Sequence, residues 1–255
     1  MTVREQVVDI EVGDRRIAGT VVPPTMSVEG VLFVHGWAGN REQHLVRARE
    51  IAALGCMSLT FDLHGHAATS SYQSTVTRND NLADVVAAYE FLKRFPDVNG
   101  TAIAVVGSSY GGYLSSILTS IRPVRWLALR APALYRDDDW DRPKQSLNRD
   151  ELIAYRRMTL PAKENRALEA CAQFSGDVLL VESEHDSIVP NSVTANYRTA
   201  FARARSLTVR VIDGADHALS EPQWQDAYTA LLKEWAQEVV VKARLPALEE
   251  RDARS

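Results

Sequence analysis

Residues 101–118 read TAIAVVGSSYGGYLSSIL, and the fold turns on this stretch. Ala102–Val106 is an unbroken apolar run, the pattern of a strand covered on both faces rather than one. From Tyr110 onward the residues follow a helix-forming pattern. Between the two stands Gly107-Ser108-Ser109-Tyr110-Gly111. Gly-x-Ser-x-Gly alone is weak evidence, because both residue types are common. The strand before it and the helix after it give the setting a nucleophile elbow requires. Such a turn forces its central residue into a strained backbone conformation and lifts the side chain clear of the sheet. A Cβ at position 107 or 111 would strike the neighbouring strand or helix, which is why glycine stands at both; Gly112 removes a further obstacle to close packing. Ser109 occupies the raised position and Ser108 points elsewhere. The helix that follows directs its positive end toward any negative charge developing there.

The same alternation extends outward. GVLFVHG (30–36), CMSLTFDLHG (56–65), RWLALRAPA (125–133), DVLLVES (177–183) and SLTVRVID (206–213) read as strands. Between them, NLADVVAAYEFL (81–92) places Leu82, Val85, Val86, Tyr89 and Leu92 on one helical stripe, and NSVTANYRTAFARA (191–204) is a further helix. Asn40 caps a helix with Gln43 three residues on, and Gly55 closes it. A last helix gathers Trp224, Ala227, Tyr228, Leu231, Leu232 and Trp235 on one face. Ahead of all this, EQVVDIEV and RIAGTVV meet at Gly13-Asp14 as an antiparallel hairpin ended by Pro23-Pro24. The rhythm predicts a doubly wound, mostly parallel sheet with helices on both faces and one domain over 1–255. Residues 132–172, rich in charge around RDDDWDRPKQSLNRD, break the rhythm and are read as a small lid insertion or, equally, a solvated surface excursion. The charged tail after Pro246 is expected to fray.

Bulk properties narrow the function. The chain has 255 residues, 45% hydrophobic and 24% charged, with a formal net charge of −4. That balance argues against a nucleic-acid partner, which calls for clustered Lys and Arg. Cys56 and Cys171, the only cysteines, are too few for a disulfide framework or a Cys-rich zinc site. The histidines lack a paired metal-binding spacing and no glycine-rich phosphate loop occurs, so neither metal nor cofactor is expected. No apolar run reaches the roughly 20 residues of a membrane-spanning helix. The N-terminus lacks a secretory apolar segment, which makes a reduced, cytoplasmic setting the expectation. An exposed lid or edge strand could support a homodimer.

In sheets of this kind, ligands bind beyond the carboxyl ends of the strands. A serine hydroxyl needs a base there, and the base an orienting acid. Among six histidines, His44 lies within a helix and is expected at the surface. His64 and His66 follow the fourth strand, upstream of the serine, and His185 follows a different strand from the last. His217, in the loop after the last strand with Gly214 and Ala215 leaving room for the ring, is the preferred base. Its bland alternative is a histidine capping the terminal helix. For the acid, Glu182, Glu184 and Asp186 compete in the loop after DVLLVES. Asp186 is favoured because it lies past the strand, with Glu182 in reserve; Asp213 and Asp216 read as turn residues. Two backbone N–H groups, of Tyr110 and Trp37, are assigned to an oxyanion hole. His35 braces the loop that carries Trp37. The side chains of Trp37, Tyr110 and Trp140 are candidate substrate contacts, with core packing as the alternative for each, and Asp137-Asp138-Asp139 reads as solvated surface.

With H35-G36-W37-A38-G39-N40, D62-L63-H64-G65-H66, G107-S108-S109-Y110-G111-G112, H185-D186-S187-I188-V189-P190 and G214-A215-D216-H217 in this order, the chain resembles the α/β-hydrolase superfamily. Within it, the chain is similar to small bacterial cinnamoyl and feruloyl esterases, to dienelactone-hydrolase relatives and to acyl-peptidase-like domains. The resemblance implies hydrolysis of a small-molecule carboxylic ester. One departure stands out: relatives commonly carry D-x-R-G-H-G after the fourth strand, where this chain has His64 for Arg and Ala67 for Gly. The triad does not choose the electrophile, so amide or peptide cleavage, C–C hydrolysis and haloperoxidase-like chemistry stay open. A silent binding protein on the same fold is disfavoured by the complete residue set.

Overall fold

A computed structural model describes residues 5–23, 29–95, 98, 100 and 102–241. Strands β1 (Gln6–Val12) and β2 (Arg15–Val22) form the antiparallel hairpin, turning at Gly13 with φ of 60°. Then follow β3 (Glu29–Val34), α1 (Leu45–Ala53), β4 (Cys56–Phe61), α2 (Arg78–Lys93), β5 (Ile103–Ser108), α3 (Tyr110–Leu118) and β6 (Trp126–Arg130). The remainder is α4 (Arg149–Arg156), α5 (Arg166–Gln173), β7 (Asp177–Ser183), α6 (Asn191–Ala200), β8 (Ser206–Ile212) and α7 (Pro222–Ala236). The eight strands make one sheet in the order β1-β2-β4-β3-β5-β6-β7-β8. β2 runs antiparallel to β4, and β4 through β8 are parallel throughout. This is the doubly wound sheet with its hairpin that the residue pattern predicts, and the α/β-hydrolase fold that the resemblance implies.

The continuous apolar strands have a direct cause. Successive side chains on a strand alternate faces, so in β3 Val31 and Phe33 pack under α1 and α7, while Leu32 and Val34 pack under α2 and α3. A sheet with helices on both sides therefore tolerates no polar alternation at its centre. β8, at the edge, is mostly half-exposed. Among the described residues, no helix is long and apolar enough to cross a membrane.

Several local expectations meet corrections. Asn40 does cap, accepting from the N–H groups of Glu42 and Gln43, but the turn it starts is 3-10 over Arg41–His44, and the α-helix begins only at Leu45. That tighter turn swings His44 inward: it is buried against Phe33, with ring centroids 5.6 Å apart, rather than at the surface. α2 starts earlier than its apolar stripe suggested, at a reciprocal cap in which the Thr77 hydroxyl accepts from Asp80 N–H and the Asp80 carboxylate accepts from Thr77 N–H. Its most buried positions include Arg78, Asn81 and Asp84, while Leu82 and Val86 are half-buried. Of the 132–172 stretch, α5 buries Ala167, Leu168, Ala170 and Cys171 and belongs to the core; the charged part before it holds short 3-10 turns and α4. Pro24 and the tail after Pro246 lie outside the described residues.

Candidate active site

The turn between β5 and α3 is as tight as its glycines demand. Ser109 holds φ 51° and ψ −113°, and its N–H is tied to the Arg130 carbonyl of the neighbouring strand at 2.9 Å. A Cβ on Gly111 would collide with the Val34 carbonyl oxygen, and one on Gly107 would come within 2.7 Å of the Gly111 carbonyl oxygen. On Gly112 it would come within 3.0 Å of Pro132. Backbone atoms cannot yield at the Gly107 and Gly111 distances, so those two glycines are obligatory for the turn, while at Gly112 Pro132 would have to give by a few tenths of an ångström.

Two loops from the other end of the chain converge on the raised hydroxyl. His217 Nε2 lies 2.9 Å from Ser109 Oγ, and His217 Nδ1 lies 2.6 Å from Asp186 Oδ2. The other oxygen of Asp186 accepts from Ile188 N–H at 2.9 Å and Val189 N–H at 2.7 Å, which fixes the carboxylate in the plane the ring needs. Burial alone would raise the Asp186 pKa, but the His217 hydrogen bond and the two amides outweigh it and hold the group below the usual carboxylate range. The two loops are also stitched to each other, His185 N–H donating to the Ala215 carbonyl and Gly214 N–H to the Glu184 carboxylate. Glu182 is engaged elsewhere, accepting from the Thr194 hydroxyl and pairing with Arg198. Asp216 caps its own turn through Ser220. An imidazole so held can take the hydroxyl proton through Nε2 while the carboxylate keeps its other nitrogen protonated.

The loop after β3 closes the opposite side. His35 is fully buried; its Nδ1–H donates to the Gly36 carbonyl at 2.7 Å and its Nε2 accepts from Leu63 N–H at 3.0 Å, so both loops around the site share one ring. Burial pushes its pKa down to about 4, leaving it neutral. Gly36 approaches so closely that an added Cβ would lie 3.4 Å from Ser109 Cβ. Among the described residues, neither the Trp37 amide nor the Tyr110 amide has a hydrogen-bond acceptor.

Side chains are placed less as expected. Trp37 is half-buried, edge-on to His66 and Tyr110, and lines a cavity of about 590 Å³ shared with Ser109 and His217. The Tyr110 ring, in contrast, has no exposed surface: the first residue of α3 points its side chain under the turn, where its hydroxyl donates to Asn81 Oδ1 at 3.0 Å. The same Asn81 and Asp84 grip His64 of the β4 loop through its carbonyl and N–H. Trp140 stands apart from the cavity, its indole N–H donating to Asn79 and its ring 3.9 Å from the Arg166 guanidinium. Neither of these two rings is positioned as a substrate contact. Ala67, in the loop after β4, adopts φ 46°. Ala38, Ser109, Ala131 and Leu219 are the other non-glycine residues with positive φ among those described, all in loops at this end of the sheet.

Residues 31–231 match the family model described as the alpha/beta hydrolase family, and the chain belongs to that family. An uncharacterized protein of Mycobacterium tuberculosis is 29% identical over 232 residues, covering 89% of this chain and 76% of its own. Among solved structures, the dienelactone hydrolase of Anabaena variabilis superposes with a TM-score of 0.68 at 19% identity, over 93% of this chain and 99% of that one. Est1E of Butyrivibrio proteoclasticus, solved with ferulic acid bound, gives 0.71 at 15% identity over 91% and 99%. Pyrococcus horikoshii acylaminoacyl peptidase gives 0.72 at 15% over 95% of this chain and 42% of that one. At such identities the likeness is one of fold.

Proposed function

We propose that the chain is a serine hydrolase that cleaves carboxylic esters of small molecules through an acyl-enzyme on Ser109. What carries the reading is the unbroken path Ser109 Oγ–His217 Nε2–Asp186 at 2.9 and 2.6 Å, together with two amides that have no acceptor among the described residues. Ser109 Oγ attacks the ester carbonyl carbon as His217 Nε2 takes its proton. The charge that builds on the carbonyl oxygen is received by the N–H groups of Trp37 and Tyr110. Collapse of the tetrahedral species breaks the bond to the alcohol oxygen, which leaves with the proton His217 holds. Water then enters, gives its proton to the same nitrogen, attacks the acyl carbon and releases the acid, returning the proton to Ser109. Asp186 keeps the ring in its tautomer and offsets the imidazolium charge.

The charged part of 132–172 acts as a cover in this reading. Lys144 donates its backbone N–H to Val76 and lays its ammonium 3.9 Å from the centre of the Trp37 ring, which tethers the segment over that wall of the site. Replacing Ser109 by Ala should cut hydrolysis of 4-nitrophenyl butyrate by at least about a thousandfold and abolish labelling by a fluorophosphonate probe. A variant that kept either would end the assignment.

A further inference from the structure

The cavity beside Ser109 carries charge that the hydrolytic reading does not use. Two arginines in its wall, Arg130 at the end of β6 and Arg47 in α1, are 7% and 5% exposed. Among the described residues, neither has a carboxylate within ion-pair distance, although ten other arginines pair with one elsewhere. Their partners are neutral. Arg130 gives one Nη1–H to the His217 carbonyl at 2.7 Å, and the rest of its fork has no hydrogen-bond partner among the described residues. Arg47 gives Nη1–H to the Gln43 carbonyl and Nη2–H to the Gln225 side chain, lies 4.6 Å from the centre of the Tyr228 ring, and leaves Nε unpartnered. Burial lowers the pKa of Arg130; Tyr228, Asp186 and Asp216 act against that shift and the charge of Arg47 acts with it, none of the acids coming within ion-pair distance.

A buried guanidinium without a paired carboxylate is costly, and two that repel each other are more so. Their hydrogen bonds to neutral groups and the Tyr228 ring contact hold both side chains in place but leave both charges unpaired on one wall of one cavity. The acids of the same cavity, Glu42 and Asp226, are exposed and pair with neither arginine. An anion in the cavity would supply the missing charge.

We propose that this cavity receives a carboxylate carried by the substrate, held by Arg130 and Arg47, so that the preferred ester is one bearing a negative charge a few bonds from its scissile carbonyl. The fork of an arginine matches a carboxylate through paired N–H donors. Arg130 would thereby couple recognition to chemistry, since the same guanidinium holds the loop that presents His217. The proposal rests on the serine-hydrolase reading, and its test separates the two.

In the native enzyme, kcat/KM is compared for mono-4-nitrophenyl glutarate against its methyl-capped neutral analogue, and for 3-acetoxybenzoate against its methyl ester. These pairs put the charge on the acyl and leaving sides in turn. The anionic member should win by about tenfold or more in one pair. The ratio should collapse toward unity in Arg47→Gln and shrink in Arg130→Lys, which keeps the charge but loses the fork. So that the result does not hang on the folding of the arginine variants, binding is measured separately by calorimetric titration of Ser109→Ala with glutarate and with inorganic phosphate. Saturable glutarate binding supports the proposal, whatever the rates. Equal rates within both pairs together with no glutarate binding overturn it, while hydrolysis of the neutral esters leaves the serine-hydrolase reading standing. Tighter binding of phosphate than of glutarate would overturn the carboxylate assignment in favour of a phosphate-bearing substrate.

Discussion

His35 offers a prediction whose size follows from its surroundings. The imidazole is neutral and buried between Gly36 and Leu63, with a pKa pushed from 6.5 to about 4 by burial. In the unfolded chain the ring takes up a proton near its ordinary pKa, whereas the folded protein refuses it until pH 4. Between those values the unfolded state binds more protons, so stability rises with pH across the window and is lost as pH falls through it. The full difference is about 3 kcal/mol at roughly 1.4 kcal/mol per unit, of which about 2 kcal/mol has already gone at pH 5. The perturbation is His35→Gln, which removes the titration while offering an amide to the same two partners. Urea unfolding of native and variant protein is followed at pH 7.5 and pH 5. Native protein should lose about 2 kcal/mol more than the variant between the two conditions. Taking the difference cancels every other titrating group, including Asp84, whose pKa burial raises to about 6 and whose pull on stability runs the opposite way. Equal losses for the two proteins would refute the reasoning.

Two further substitutions probe the frame. Gly111→Ala should prevent accumulation of soluble folded protein, or lower the melting temperature by more than 10 °C at roughly 2–4 °C per kcal/mol, because its new methyl meets the Val34 carbonyl; a normal melting curve would disprove the steric account. Asp186→Asn should lower kcat by roughly 10² to 10⁴ with a small change in KM, read from initial rates on a soluble ester; a variant with native kcat would remove Asp186 from the mechanism.

The parts legible in the sequence were those fixed by local rules. The elbow announced itself because only glycine fits where backbone meets backbone, and the parallel strands did so through apolar runs with no polar alternation. Ser109, Asp186 and His217 were reachable because each follows a strand at the one edge where loops converge. What escaped depends on how elements pack. Asn81 and Asp84 are polar residues on a helical face that reads as surface, yet they face the β4 loop and satisfy its backbone. The inward turn of His44 hangs on a 3-10 segment that its residues do not distinguish from an α-helix. The aromatic side chain at position 110 misled because its ring turns under the elbow and is buried against Asn81. Arg47 and Arg130 are ordinary arginines in sequence; only their burial without acids makes them informative.

The five left-handed non-glycine residues among those described, Ser109 and four in the loops around it, have an evolutionary corollary. Each such backbone choice costs roughly 1–2 kcal/mol, so the body of the protein subsidises the shape of its rim. Directed evolution toward heat tolerance would find easy gains there, Ala67→Gly foremost, and each gain would slacken the geometry around the hydroxyl. Thermostable descendants obtained that way should turn over more slowly and discriminate less sharply, whereas gains made in the sheet should leave turnover untouched.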